Sequence, residues 1–332
     1  MRSVSILLVL LGHVYGTNHY PRNTFTKFIS QSAHLGVQIF FVISGFLITT
    51  LLLKEHERTG RINLPRFFLR RTLRIFPAAF AYIAIVAIVA RPHFLVYALT
   101  YTMCYAPQTR PWILGHLWSL SVEEQFYLLW PVALLLGFRY RVKIGIAVVL
   151  LAPFARLAFW KAGLHEIDEY FPAVCDSLMM GCLLAFFYPR LRTRYRALLD
   201  VEIFTALGVL VLASQWLMSR VRIQIAFGAF VPFAIALFLF IAIERADWFL
   251  NNRLTRTVGV LSYSLYLWQQ PFLNRTHAAW WTTFPLNLVL AGCCALLSFY
   301  LVERPYLSRH SAPKQEPAAT EARVEELAPH TS

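Results

Sequence analysis

Residues 35–53 read LGVQIFFVISGFLITTLLL, nineteen consecutive positions without a charged side chain. A helix crossing a bilayer needs about 20 predominantly apolar residues, so this run is read as a membrane span. Nine more apolar segments lie near residues 3–17, 75–92, 117–137, 143–160, 171–188, 198–218, 224–243, 257–274 and 284–302. A further stretch, His93 to Tyr105, is too short to span and reads as interfacial. The composition agrees. Of the 332 residues 58% are hydrophobic and 14% charged, with a mean hydropathy of +0.54. Soluble domains carry about 25% charged residues. A soluble enzyme, a disordered protein and a disulfide scaffold are thereby disfavoured. The expected fold is an all-α integral membrane protein of about ten transmembrane helices, occupying residues 1–308. Residues 309–332, rich in Pro, Ala and Glu, are expected to form a disordered cytoplasmic tail.

The 31 Lys and Arg outnumber the 17 Asp and Glu, a formal charge of +14. A nucleic-acid binder would gather its basic residues on one polar domain. Here they stand in short blocks between apolar runs, which points to topology signals and the lipid bilayer and away from nucleic acid. With the N-terminus inside, 22 of them fall in inside segments and 8 outside, and Arg156 sits within a span. The positive-inside rule then places both termini in the cytoplasm. The five cysteines lie in or beside apolar runs without metal-type spacing and read as small core hydrophobes. Nothing in the sequence demands a metal.

The first segment is short. Ser3 to Thr17 covers about 22 Å at 1.5 Å per residue, against a hydrocarbon core of about 30 Å. A signal peptide is one reading, but His13 interrupts the apolar run and no A-x-A-like site follows. The favoured expectation is a true start upstream of Met1.

Charged groups inside spans are functional candidates by default. Arg2 and His13 are eleven residues apart, within about 20° of one helix face and about 16 Å apart along it. An interfacial His with a topology-setting Arg is the alternative. Ser44-Gly45 stands in mid-span, where small residues let helices approach closely. The segment PRFFLRRTLRIFP puts Arg70, Arg71 and Arg74 at the cytoplasmic edge of the third span. Arg71 and Arg74 share a face and can fork onto phosphates, or simply set topology. Gly115 to Pro131, GHLWSLSVEEQFYLLWP, carries Glu123 and Glu124 among aromatic residues. A buried carboxylate needs a partner, and His13, His34, His116 or an arginine are candidates. Asp176 is a further intramembrane acid, readable as a polar helix–helix contact.

Taken in order, these segments resemble the membrane acyltransferase 3 family. The resemblance runs from Arg2-x10-His13 through Gly36–Phe46 (GVQIFFVISGF) and the RR-x-x-R-I-x-P segment ending at Pro77. It continues through Trp118–Tyr127, Ser262–Pro271 (SYSLYLWQQP) and Val302–Pro305 (VERP). Six motifs in order over residues 2–308 are specific where each alone is weak. The resemblance implies transfer of an acyl group, usually acetyl, from cytoplasmic acyl-CoA to a hydroxyl of a carbohydrate or glycolipid acceptor such as a surface polysaccharide. It implies His13 as the catalytic histidine with Arg2 as its motif partner, and Glu123 as the family's glutamate. Arg71 and Arg74, beside Arg70, would contact CoA phosphates, and the protein would be multi-pass in the cell membrane, the inner membrane of a bacterium. Donor and acceptor would enter from opposite sides.

The chain departs from the family pattern in three places. The Asp-Gly-type segment ahead of the first Arg is missing. Gln269-Gln270 stands where a histidine often follows the tryptophan. Val174 precedes Cys175-Asp176 where an arginine is common. Some relatives carry an extracellular SGNH esterase-like domain, for which the tail leaves no room. Either a separate partner protein completes the transfer or the membrane domain acts directly. The alternative function is a membrane transporter of acyl donors or glycans without acyl-transfer chemistry, using the same polar residues as a pathway.

Overall fold

The computed structural model describes residues 1–107, 109–164, 166–194, 201–218, 221–245 and 252–306. The tail expected at 309–332 lies outside them. Among the described residues the regular structure is helical, and the extended pairing is an isolated bridge between Asn18 and Thr283.

The helices begin with α1 (Arg2–Val14), α2 (Thr24–Ser30), α3 (Ala33–Thr59) and α4 (Leu64–Val89). Short turns α5 (Leu95–Leu99) and α6 (Trp112–Gly115) precede α7 (Leu117–Leu136) and α8 (Arg141–Lys161). Then come α9 (Phe171–Arg194), α10 (Val201–Met218), α11 (Val221–Phe227) and α12 (Phe230–Arg245). Last are α13 (Arg253–Trp268) and α14 (Leu286–Ser298), which runs on through a π-helical turn, Phe299–Glu303.

Five helical segments are long and apolar enough to cross a membrane: Thr24–Thr59, Leu64–Val89, Phe138–Lys161, Phe171–Arg194 and Leu286–Tyr306. The other apolar segments also form helices, but shorter or more polar ones. Helix α1 has 13 residues and α12 and α13 have 16 each, while α7 carries Glu123 and Glu124.

Helices α3 and α9 form the centre. Their apolar windows are 72% and 61% buried within the protein, against 33%, 22% and 28% for α4, α8 and α14. The peripheral helices instead expose Ile88, Val89, Leu150 and Phe154. So much exposed apolar surface suits hydrocarbon rather than water. The close α3–α9 approach has a local cause. A Cβ placed on Gly45 would lie 1.8 Å from the Leu178 carbonyl oxygen, and one on Gly181 2.0 Å from that of Val42. Small residues on both helices bring the backbones together, as in small-xxx-small packing.

Polar groups join the helices at a few points. Arg156 of α8 and Asp176 of α9, both almost fully buried, form an ion pair. Trp130 of α7 donates to Thr49 of α3 (2.9 Å), and Tyr263 of α13 donates to the Ile75 carbonyl of α4 (2.8 Å). Buried polar atoms in an apolar medium need such partners.

Candidate active site

Two cavities lie back to back in the bundle. The first, of about 680 Å³, is lined by Arg2, Ser44, Arg71, Arg74, Glu123 and Tyr127 among others. The second, of about 810 Å³, is lined by His13, His34, Arg110, Trp112, His116, Trp118, Glu166, Glu169 and Gln270 among others. Val37 and Tyr266 line both and form the partition. Tyr266 is fixed there because its hydroxyl donates to the His116 carbonyl (2.8 Å) and meets Ser119 Oγ. Helix α1 joins the two, with Arg2 at its start in the first chamber and His13 at its end in the second.

The first chamber is basic. Three arginines face Glu123, whose two carboxylate oxygens accept from Ser44 Oγ and Tyr127 Oη, each at 2.8 Å. Arg71 stacks on the Tyr127 ring with its guanidinium carbon 4.0 Å from the centroid. Stacking and charge together fix the guanidinium plane. This chamber adjoins a groove of about 1500 Å³ that also contains Arg71 and Arg74, together with Lys54, Arg58, Arg66 and Arg70. The six basic groups against Glu55 and Glu57 make an electropositive approach to the chamber.

The second chamber holds His13 in a cradle from distant segments. Its Nδ1 lies 3.0 Å from Gln269 Oε1. An amide oxygen only accepts, so with Gln269 in this orientation Nδ1 would carry the ring proton and Nε2 would keep its lone pair. Trp112 meets the imidazole edge to face at 5.5 Å and is itself locked to α13. Its Nε1 donates to the Gln270 carbonyl (3.0 Å), and Gln270 Nε2 donates to the Trp112 carbonyl (2.9 Å). Arg275 donates to the carbonyls of Gly12 and His13, capping the last turn of α1 where the helix dipole favours a cation.

Across this chamber Arg110 is held by Glu166 (2.8 Å) and by Glu169. Burial pushes the Glu169 carboxyl up to about 8, with Arg110 opposing and Glu166 and Asp168 reinforcing the shift. His34 pairs with Asp168 (3.2 Å).

The structure therefore divides the expected site residues. Arg2, Arg71, Arg74 and Glu123 meet in the first chamber, His13 stands apart in the second, and Arg70 lines the groove outside. The arginines belong to α4 itself, which begins at Leu64 and runs through Pro77, rather than to a loop ahead of it. Glu123 takes hydroxyl partners, Ser44 and Tyr127, and His116 lies on the other side of the partition. Asp176 is the helix–helix contact anticipated, with Arg156 as its partner. Sequence reading missed Gln269, Gln270, Arg110, Glu169 and Tyr266. The available signals were the Gln269-Gln270 departure after Trp268 and the place of Tyr266 within the SYSLYLW motif.

Among the described residues the chain is thus a helical bundle of membrane type, in which one helix joins a basic chamber to a histidine chamber. The chain belongs to the acyltransferase domain family of the acyltransferase 3 type, whose family model matches residues 1–304. The O-acetyltransferase OatA of Staphylococcus aureus (strain NCTC 8325 / PS 47) is 28% identical over 314 residues, covering 82% of this chain and 52% of its own length. A second protein of that species (strain COL) is 26% identical over 349 residues, covering 92% of this chain and 56% of its own. The chain thus spans about half the length of the curated relatives it matches. No solved structure matches it.

Proposed function

We propose that the protein transfers an acyl group, acetyl in the simplest case, from acyl-CoA to a hydroxyl of a carbohydrate or glycolipid acceptor such as a surface polysaccharide. The observation that carries this reading is the pair of back-to-back chambers, arginine-lined on one side of Tyr266 and histidine-lined on the other. CoA phosphates would bind in the basic groove and at Arg71 and Arg74, with the thioester directed past Arg2 toward the partition. Arginine suits phosphate through paired charge-assisted hydrogen bonds. The acceptor would enter the other chamber.

His13 Nε2 then takes the proton of the acceptor hydroxyl as its oxygen attacks the thioester carbonyl. The C–O bond forms, the C–S bond breaks, and the CoA thiolate leaves and takes up a proton. A sugar hydroxyl is a weak nucleophile at neutral pH, and a positioned base typically contributes a factor of about 10² to 10⁴. Gln269 keeps His13 in the tautomer this step needs. Glu123 holds the arginine chamber in shape through Ser44 and Tyr127 and has a positioning role.

Helices α1, α3, α4, α7, α8, α9, α10, α12, α13 and α14 would make ten crossings, with both ends cytoplasmic, in the cell membrane of a bacterium. A separate partner protein would complete the transfer, or the membrane domain would act directly.

The test is an acyl-transfer assay on full-length protein in nanodiscs. His13→Ala abolishes product formation while CoA still binds, and Arg71→Ala weakens CoA binding. Unchanged acylation in His13→Ala would refute the assignment, and glycan transport without acylation would favour a transporter.

A further inference from the structure

The histidine chamber has more recognition chemistry than a base requires. Its fixed cation among the described lining residues, Arg110, has only 10% of its side chain exposed and is held by both Glu166 and Glu169. Nearby, His34 is paired with Asp168, and Arg275 is turned to the α1 carbonyls. Among the described lining residues no guanidinium or ammonium is left to meet an anion. Two other lining groups are open. His116, 3% exposed, leans on the Leu267 backbone and has no side-chain partner, so one ring nitrogen is left open, and Gln270, also 3% exposed, has no partner on Oε1. Buried polar atoms without partners are rare enough that a bound polar group is a natural explanation. Trp112 and Trp118 add two aromatic walls.

We infer that this chamber selects an uncharged, hydroxyl-rich residue, such as a neutral hexose, and rejects one bearing a carboxylate or phosphate. The inference rests on the acyl-transfer reading and narrows its acceptor. A hydroxyl both donates and accepts, so it can donate to Gln270 Oε1 and either donate to or accept from His116. The C–H faces of a pyranose ring fit against Trp112 and Trp118. A carboxylate only accepts, so Gln270 Oε1 gives it nothing, and the Glu166 carboxylate repels it. Like charges set close together discriminate against the wrong ligand. The contrast with the other chamber is sharp, since three arginines face a single glutamate there. The two sides of Tyr266 thus sort their ligands by charge, and CoA phosphates are held back from the acceptor side.

The experiment uses the full chain in phosphatidylcholine nanodiscs without an acyl donor. Methyl hexopyranosides of the gluco, galacto and manno series and their matching uronates are titrated by saturation-transfer NMR. At least one neutral sugar is expected to bind, with its uronate weaker by about tenfold or more. Glu166→Gln, at the chamber's more exposed acid, is expected to narrow that gap. A uronate that binds as tightly as its neutral counterpart, or no binding by any neutral sugar, overturns the inference. CoA release from acetyl-CoA is followed separately in the same nanodiscs. Neutral-sugar binding without any consumption of acetyl-CoA overturns the acyl-transfer reading and leaves the selectivity standing. Acetyl-CoA consumption with uronates preferred overturns the selectivity alone.

Discussion

Gly45→Ala is a one-carbon change that is expected to reach the arginine chamber. The added Cβ would sit 1.8 Å from the Leu178 carbonyl oxygen. An ordinary carbon–oxygen contact is about 3.4 Å, so α3 and α9 must part by roughly 1.6 Å. A gap of 0.5–1 Å already forfeits about a quarter to a half of the dispersion well for each contacting atom pair. Overpacking of this kind costs about 1–3 kcal/mol, and the loss falls on the central helix pair of the bundle. The neighbouring residue, Ser44, donates to Glu123 at 2.8 Å. A shift of more than an ångström carries that hydroxyl out of hydrogen-bond range. Thermal unfolding in detergent is therefore expected to fall by several degrees, and acyl transfer by about tenfold or more, from a charge-assisted bond worth about 1.5–3 kcal/mol. Gly181→Ala approaches the same seam from α9 and should behave alike. Gly292→Ala is the control, because nothing lies within 4 Å of its Cβ position, and helix propensity makes it neutral or stabilising by up to about 1 kcal/mol. Wild-type stability and activity in Gly45→Ala, or equal losses in Gly292→Ala, would refute the reasoning.

Glu123→Gln is expected to lower acyl transfer more than Glu124→Gln, because Glu123 alone of the two lines the arginine chamber; steady-state rates of the two variants decide it. Gln269→Leu should reduce kcat with little change in KM for acyl-CoA, since it frees the His13 tautomer; a raised KM with unchanged kcat would contradict that. Glu169 carries a pH signature. Its carboxyl is raised to about 8 in the folded protein, so its stabilising contribution is complete below the unfolded value of about 4.3 and is lost as pH rises through 8. Unfolding temperatures from pH 5 to 9 should therefore fall more steeply with pH in the wild type than in Glu169→Gln, and parallel profiles would exclude the effect.

What the sequence discloses here follows from range. The apolar run at 35–53 and the shared face of Arg71 and Arg74 are local patterns, written within a few helical turns, and the structure keeps both. The Arg2–His13 stripe is equally local, although their separation into two chambers depends on Val37 and Tyr266 arriving from α3 and α13. Partners escape such reading because they are remote. Gln269 reaches His13 across 256 residues, and Ser44 reaches Glu123 across 79. Loop chemistry is harder still. Arg110, Glu166 and Glu169 lie outside the spans, where charged residues read as ordinary solvent-exposed groups, and only the fold turns them inward. Glu123 shows the limit from the other side. Its partial burial was legible from the aromatic residues around it, but not that two hydroxyls would satisfy both oxygens.

Helix α1 acts as a ruler. It is a single unbroken element with Arg2 in one chamber and His13 in the other, so the spacing of the guanidinium from the imidazole is set by eleven helical steps, about 16 Å. Deleting any one residue between them would shorten the ruler by only about 1.5 Å but would also swing His13 about 100° away from Gln269. Point substitutions on the lipid-facing side of α1, such as at the exposed Leu7, leave both settings intact. The helix is thus tolerant of changes in composition and intolerant of changes in length, and under the proposed reaction a donor with a longer or shorter arm than the ruler allows would present its thioester out of register with His13.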